Sequence, residues 1–146
     1  MVKKNGSMKL IISIMVMTLC STRIAADDFI PESFSPPTLI SADEFVLEPL
    51  GPRLVEIDYI AYMSSIEHLQ RTFSRGGSWP NDSITREDAM IDMQTEQARF
   101  EARESFAYAV LDLDREVELG CVYVYPSKKR GFDAMVRLWV TAAEFE

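Results

Sequence analysis

The side chains that could do chemistry are few, and the first of them is the single histidine of the chain, His68. A neutral imidazole can accept a proton from an amine near neutral pH. A lone helical histidine is, however, more often a surface or capping residue. The chain has several serines but no nucleophile-elbow motif around any of them. The sequence therefore disfavours a serine hydrolase.

Two cysteines, Cys20 and Cys121, complete the set of reactive side chains. Cys20 falls in an N-terminal leader, and removal of that leader would leave Cys121 without an intramolecular disulfide partner. Cys121 lies in an apolar segment, where a single thiol is usually a core residue. One histidine and one remaining cysteine are too few soft ligands for a structural zinc site, so we expect no metal.

The charge of the chain argues against nucleic acid as a partner. The formal net charge is −8, with 15 basic and 23 acidic residues. Four of the basic residues and none of the acidic ones lie in the first 26 residues, so the rest of the chain is more acidic still. An acidic domain repels a phosphate backbone. The short basic run at 128–130 is best interpreted as a solvated turn.

The first 26 residues have the organisation of a secretory signal peptide. A basic start is followed by an apolar run at 10–19 and by the small residues that end at Ala26. The apolar run is too short to span a bilayer comfortably, so we expect cleavage near Ala26, export, and no stable membrane span. Two alternatives would leave the chain membrane-anchored: lipidation at Cys20 and retention of an uncleaved leader.

The remainder divides into an extended linker at 27–43, rich in proline and serine, and one domain at 44–146. The domain begins with a strand at 44–50, a helix opened by Pro52, and a second helix from a capping box at Ser64 to about Phe73. A loop at 75–83 leads to a long helix capped by Thr85 and ending near Arg103. Strands follow at 106–111, 118–125 and 133–140. Three strands joined by short turns run antiparallel, which predicts an α+β fold with helices packed on a β-meander.

Alternation along the last two strands predicts their faces. Cys121, Tyr123 and Tyr125 share one face of the strand at 118–125, and valines occupy the other. Both faces are largely apolar, so we expect this strand to be covered on both sides. Arg137, the one charge inside the last strand, is expected either to pair with an acid or to lie on an uncovered face.

This order of elements resembles the N-terminal half of the GNAT-type N-acetyltransferase superfamily, from about Phe29 onward. Phe45-Val-Leu-Glu-Pro-Leu50 is similar to the opening strand of that fold. Leu119-Gly120 stands at the usual hydrophobic-Gly start of its third strand. Val136-Arg-Leu-Trp-Val140 is similar to its fourth strand. Short segments such as Gly77-Ser-Trp-Pro80 resemble those of an uncharacterised GNAT-like subgroup.

The resemblance implies acetyl-CoA as the cofactor and a small-molecule amine as the acceptor. Leu138, Trp139 and Val140 would then lie along the pantetheine arm through backbone contacts. Glu67, His68 and Trp79 would border the acceptor pocket, with Glu67 and His68 as candidate catalytic residues and Trp79 as a candidate substrate contact.

The sequence departs from the family pattern after the last strand. The family has a glycine-rich turn there, whose amides hold the cofactor pyrophosphate. Here no glycine follows Gly131, and residues 141–146 include two acids. The sequence therefore suggests a truncated domain or one that has lost this turn.

Two functions follow from these observations. The first is an acyl-CoA-dependent N-acetyltransferase domain, incomplete and without assured activity. The alternative is an exported, non-catalytic binding or interaction domain. In either case the long apolar last strand could pair with a second copy of the chain and form a homo-oligomer.

Overall fold

The computed structural model describes residues 29–73 and 78–145. The predicted signal peptide at 1–26 and the glycines of the predicted loop at 75–83 lie outside these residues. The described residues form an antiparallel sheet in which sequential strands are neighbours, in the order β1-β2-β3-β4-β5. The strands are β1 (Ile40–Ser41), β2 (Val46–Pro49), β3 (Phe106–Leu111), β4 (Glu118–Pro126) and β5 (Ala134–Val140). The predicted α+β class and its antiparallel meander are confirmed.

The helices lie between β2 and β3 in the chain. A 3₁₀ turn at Pro52–Leu54 leads into α1 (Val55–Met63), which is followed by α2 (Ile66–Thr72) and α3 (Arg86–Glu101). Pro52 suits the first position because the N–H it lacks would have no partner inside the helix. Within the described residues, no helix is long and apolar enough to cross a membrane.

Only one of the two helix starts predicted from caps is correct. At α3, the Asp88 N–H donates to Thr85 Oγ1 at 3.1 Å, and the Thr85 N–H donates to the Asp88 carboxylate at 2.9 Å. The capping box predicted at Ser64 is wrong. Ser64 ends α1 instead: its N–H donates to the Ile60 carbonyl and its hydroxyl to the Ala61 carbonyl, so α2 begins two residues later.

The helices cover one face of the sheet, and this face carries Ala109, Cys121 and Trp139, which share a register row across β3, β4 and β5. Cys121 contacts Asp58 of α1. The opposite face is less well covered: Val122 and Val124 are half-buried, while their β5 neighbours Leu138 and Val136 are 59% and 57% exposed. The expectation that β4 is covered on both sides is therefore correct for one face only.

A β-bulge interrupts the β3–β4 pairing. Val110 pairs with Gly120, but the next residue, Leu111, pairs with Glu118, so Leu119 is the extra residue. Regular alternation would place Glu118 on the face opposite Cys121. The bulge turns Glu118 to the helix-covered face instead, where it is buried.

Gly120 allows β4 and β5 to approach closely beside this bulge. A Cβ atom on Gly120 would lie 2.1 Å from the Trp139 carbonyl oxygen and 2.8 Å from the Val140 Cα. Both atoms belong to the backbone, so neither could move aside without separating the strands. This close approach explains the glycine at this position.

The segment 29–45, which we call the N-terminal strap, packs along the domain. The Phe29 ring stacks on Phe106 at 5.7 Å, and the Tyr108 hydroxyl donates to the Pro37 carbonyl at 3.0 Å. The Arg103 guanidinium donates to the carbonyls of Pro31 and Phe34, each at 2.8 Å. Residues 40–41, inside the predicted linker, form β1 and pair with β2.

Candidate functional site

Aromatic side chains surround a cavity on the helix-covered face of β4 and β5. We call it the aromatic cavity. Its volume is about 350 Å³, and its lining comes from the end of α2, the segment before α3, and the last two strands: Phe73, Trp79, Tyr123, Tyr125, Arg137, Leu138 and Trp139. A space of this size suits a small molecule.

Ring packing holds this lining in place. Trp79 lies 6.0 Å from Trp139, 5.5 Å from Tyr62 and 6.1 Å from Phe73, measured between ring centroids. The Trp139 indole N–H donates to the Tyr123 hydroxyl at 3.5 Å. Burial raises the pKa of the Tyr123 hydroxyl well above its usual value, so this group stays neutral.

A second cavity of about 210 Å³ shares Trp79 and Tyr123 with the aromatic cavity and has acidic walls. Asp92 and Glu96 of α3 and Asp58 of α1 line it. Burial raises the pKa of Asp92, and the charge of Asp88 raises it further. Among the described residues, Arg137 is the one cation that lines the aromatic cavity, and no ion pair there includes it.

The residues predicted from the resemblance divide into two groups. Trp79, Leu138 and Trp139 line the aromatic cavity together. Glu67 and His68 lie on α2 and do not line it: Glu67 accepts from Arg71 at 2.8 Å, and the His68 ring packs 4.7 Å from Phe145. Their catalytic role stays a prediction. The cofactor contacts of Leu138, Trp139 and Val140 and the substrate contact of Trp79 also stay predictions.

The segment after β5 does not fit the pyrophosphate of acetyl-CoA. Anion binding there would need several backbone N–H groups free to point at the ligand. Most of these groups already donate inside the protein: Thr141 to the Leu119 carbonyl, Ala142 to Ser65 Oγ, Glu144 to the Thr141 carbonyl, and Phe145 to the Ala142 carbonyl. Glu144 adds a negative charge. Residues 141–145 therefore form no phosphate cradle.

Beneath the cavities, Asp58, Glu118 and Cys121 form a cluster that the sequence analysis did not anticipate. The Cys121 thiol donates to Glu118 Oε1 at 3.0 Å and contacts Asp58 Oδ1 at 3.8 Å. One ligand-type atom from each residue lies within 4.8 Å of the others. Cys121 is fully buried, and Glu118 and Asp58 are 2% and 6% exposed.

Burial dominates the ionisation of this cluster. Burial raises the pKa of Asp58 to about 6. Burial and then the charge of Asp58 raise the pKa of Glu118 well above its usual value. Burial likewise raises the pKa of the Cys121 thiol. At neutral pH the Cys121 thiol therefore keeps its proton, while a pKa of about 6 leaves the Asp58 carboxyl largely ionised, and a buried uncompensated charge is costly.

The three residues of this cluster differ in how far the sequence could have indicated them. Cys121 was correctly predicted as buried. Asp58 lies on the buried side of α1 with Val55, Ala61 and Tyr62, and an acid at such a position could have been noticed in the sequence. Glu118 could not have been placed, because a bulge leaves no trace in the alternation of polar and apolar residues.

No protein-family model and no curated protein matches the chain. Among solved structures, three similar ones each match 75% of this chain. A Bordetella pertussis protein assigned to the GNAT family of acetyltransferases is 16% identical, with a TM-score of 0.55 and 62% of its length covered. A Vibrio cholerae protein assigned as a ribosomal-protein-serine acetyltransferase is 14% identical, with a TM-score of 0.57 and 58% of its length covered. The ribosomal-protein-S5-alanine acetyltransferase of Vibrio fischeri is 11% identical, with a TM-score of 0.59 and 59% of its length covered.

These similarities define the class of fold. The described strands and helices have the GNAT-type arrangement expected from the sequence. The chain spans about three fifths of the length of the structures it matches.

Proposed function

We propose that this chain is an acyl-CoA-dependent N-acyltransferase domain of the GNAT type, or part of one, and that it takes a small amine acceptor in the aromatic cavity. One observation carries the proposal. The β-strand that resembles the cofactor-binding strand of the family, β5, also forms a wall of a cavity large enough for a small molecule.

The chemistry of the walls favours a cationic acceptor. Aromatic faces attract ammonium groups. The acids Asp58, Asp92 and Glu96 lie along the adjoining cavity, which shares Trp79 and Tyr123. Arg137 opposes a purely cationic ligand, so an amine that also carries a carboxylate or another polar group suits the cavity better than a polyamine does.

For the cofactor, the chain offers a strand edge. Within the described residues β5 pairs only with β4, so its other edge can contact a pantetheine arm through backbone groups of 138–140. Residues 141–145 do not fit the pyrophosphate. We therefore expect acetyl-CoA and acetyl-pantetheine to bind this chain with similar affinity.

Tryptophan fluorescence tests the proposal directly, because the chain has two tryptophans and both line the cavity. Amine candidates, acetyl-CoA and acetyl-pantetheine are titrated into the purified chain. Saturable quenching by an amine together with either thioester supports the acyltransferase. A folded protein that responds to no thioester contradicts it.

The same change, phenylalanine to leucine, is made at one position inside the cavity and at one outside it as a control. Phe73→Leu removes a ring from the cavity wall and should weaken amine binding by roughly fivefold, which corresponds to about 1 kcal/mol. Phe132→Leu, in the β4–β5 turn, removes an exposed ring that does not line the cavity and should leave binding unchanged. Equal effects of both substitutions would argue against the aromatic cavity as the site.

A non-catalytic binding domain is the second candidate. The amide bonding of residues 141–145 favours it, because a domain without a phosphate cradle can retain an acceptor cavity and lose the cofactor. Quenching by an amine without any thioester response would support this candidate. Export, proposed from the leader alone, would also favour it, since acetyl-CoA is a cytosolic metabolite.

A further inference from the structure

The cluster of Asp58, Glu118 and Cys121 is built from two rigid elements. Asp58 projects from α1, while Glu118 and Cys121 come from β4. Only the bulge at Leu119 puts both β4 side chains on the face that α1 covers. The arrangement therefore depends on an irregularity in the sheet, a kind of feature that often re-aims side chains at functional sites.

The cluster lacks a compensating cation. None of the ion pairs formed by the described residues includes Asp58 or Glu118. Glu118 is 2% exposed, and its Oε2 atom has no hydrogen-bond partner among the described residues, although its Oε1 faces the Cys121 thiol. A buried acceptor without a partner is costly, so a ligand bound to this oxygen would remove that cost.

The donor set and spacing suit a transition metal. A thiolate and two carboxylate oxygens are ligands of zinc, at about 2.3 Å for sulfur and about 2.0–2.2 Å for oxygen. The observed separations of 3.0 and 3.8 Å from Cys121 Sγ to the two carboxylates bracket the roughly 3.5 Å between neighbouring tetrahedral ligands that those lengths imply. We propose that Asp58, Glu118 and Cys121 bind one divalent transition-metal ion, with zinc as the best match.

Cavities adjoin the cluster on two sides. Asp58 lines the acidic cavity of about 210 Å³, and Glu118 lines a separate one of about 220 Å³ near Thr141. Either could supply water to complete four coordination. Because the metal would join α1 to β4, its first effect is to stabilise the packing of helix on sheet, and its binding releases protons from the cluster.

Metal titration of the full chain, stripped with chelator and kept reduced, tests the site. Zinc binding is followed by calorimetry, and cobalt binding by absorbance, where a cysteine ligand gives a sulfur-to-cobalt charge-transfer band. We expect one ion per chain, a dissociation constant below about 10 μM, and a higher melting temperature with zinc. This experiment is independent of acetyl-CoA, so the site and the proposed acyltransferase can fail separately.

Matched variants locate the ion. Cys121→Ser should abolish the cobalt band, while Cys20→Ser should leave it intact. Glu118→Gln and Asp58→Asn should each weaken zinc binding at least about tenfold, or about 1.4 kcal/mol. Asp92→Asn removes an acid from the same cavity wall, outside the cluster, and should bind zinc as before.

Three results would overturn the proposal. They are no zinc binding by the folded, reduced chain; a cobalt band that survives Cys121→Ser; and equal loss of affinity in Asp92→Asn and Glu118→Gln. The first would show that protons alone neutralise the cluster. Should a cluster variant fail to fold, the rise in melting temperature of the unaltered chain with zinc, and its absence with magnesium, still decides the question.

Discussion

Gly120 is the residue at which the structure leaves least room for change. Its missing side chain lets the β5 backbone come within contact distance beside the bulge, and the same stretch carries Glu118 and Cys121. A substitution here should therefore disturb both the sheet and the cluster.

We expect Gly120→Ala to lower the free energy of unfolding by about 3 kcal/mol or more, because the new Cβ would overlap backbone atoms of Trp139 and Val140. Urea denaturation followed by circular dichroism measures it. Gly131→Ala is the control: its Cβ would meet nothing within 4 Å, and only the positive φ of 83° opposes it, at about 1 kcal/mol. Equal losses would contradict the close-approach argument.

Single residues were predictable where their neighbours in sequence decide their environment. Cys121 was predicted to be a core residue from its apolar segment, and it is fully buried. Glu118 was not predictable in this way, since its direction depends on a bulge produced by the pairing of two strands. At Ser64 the local sequence was misleading. Its spacing to Glu67 fits a helix N-cap, yet its N–H and its hydroxyl both donate to carbonyls of the preceding helix.

Among the elements, α3 shows most clearly how local sequence determines a boundary. Thr85 and Asp88 satisfy each other's backbone N–H groups at its start. The pKa of Asp88 is lowered, first by the hydrogen bond from the Thr85 backbone and then by its side chain. The carboxylate form thus stabilises the folded state.

We expect Thr85→Ala to cost about 1 kcal/mol of stability at pH 7. Because the folded pKa of Asp88 is depressed, the contribution of its carboxylate is present above the unfolded value near 3.8 and is lost as pH falls through the lower folded value. Alanine keeps the Thr85 backbone N–H and removes only the hydroxyl, so thermal melts from pH 7 to pH 2 should show the difference between variant and unaltered chain shrinking only in part at acid pH.

The control for that measurement is Thr95→Ala in the interior of the same helix. The Thr95 hydroxyl donates only to the Ile91 carbonyl, which is bonded in the helix anyway, so alanine should be neutral or slightly stabilising. A loss at Thr95 as large as at Thr85 would mean that helix propensity, and not capping, governs α3.

At the scale of the whole molecule, the antiparallel meander of β3, β4 and β5 was predictable from alternation and short turns, whereas β1 falls inside the predicted linker. The segment 106–111 was placed without error as β3. The strap was less predictable, since its prolines indicate an extended chain but not the surface that the chain lies on. Contacts such as Arg103 with Pro31 join residues far apart in sequence, and only the folded structure brings them together.

The homo-oligomer expected from the sequence stays a prediction, and the exposed face of β5 gives it a test. Val136 and Leu138 are exposed apolar side chains of β5. Val136→Lys puts a charge beside Leu138 and should reduce self-association, measured by sedimentation velocity across a concentration series. Ile91→Lys, which alters an equally exposed apolar residue of α3, should not. A monomer at all concentrations, with or without the substitutions, would rule out pairing through β5.

The strap also has a mechanical consequence. Among the described residues, a two-residue strand, three side-chain hydrogen bonds and one ring contact hold the strap, so tension applied from the N-terminal side would break these contacts one after another. Its 17 residues would lengthen to roughly 55 Å before the load reached β2. The strap, with β1, would then unfold before the rest of the domain, and the strands from β2 to β5 would stay paired under a pull on the chain.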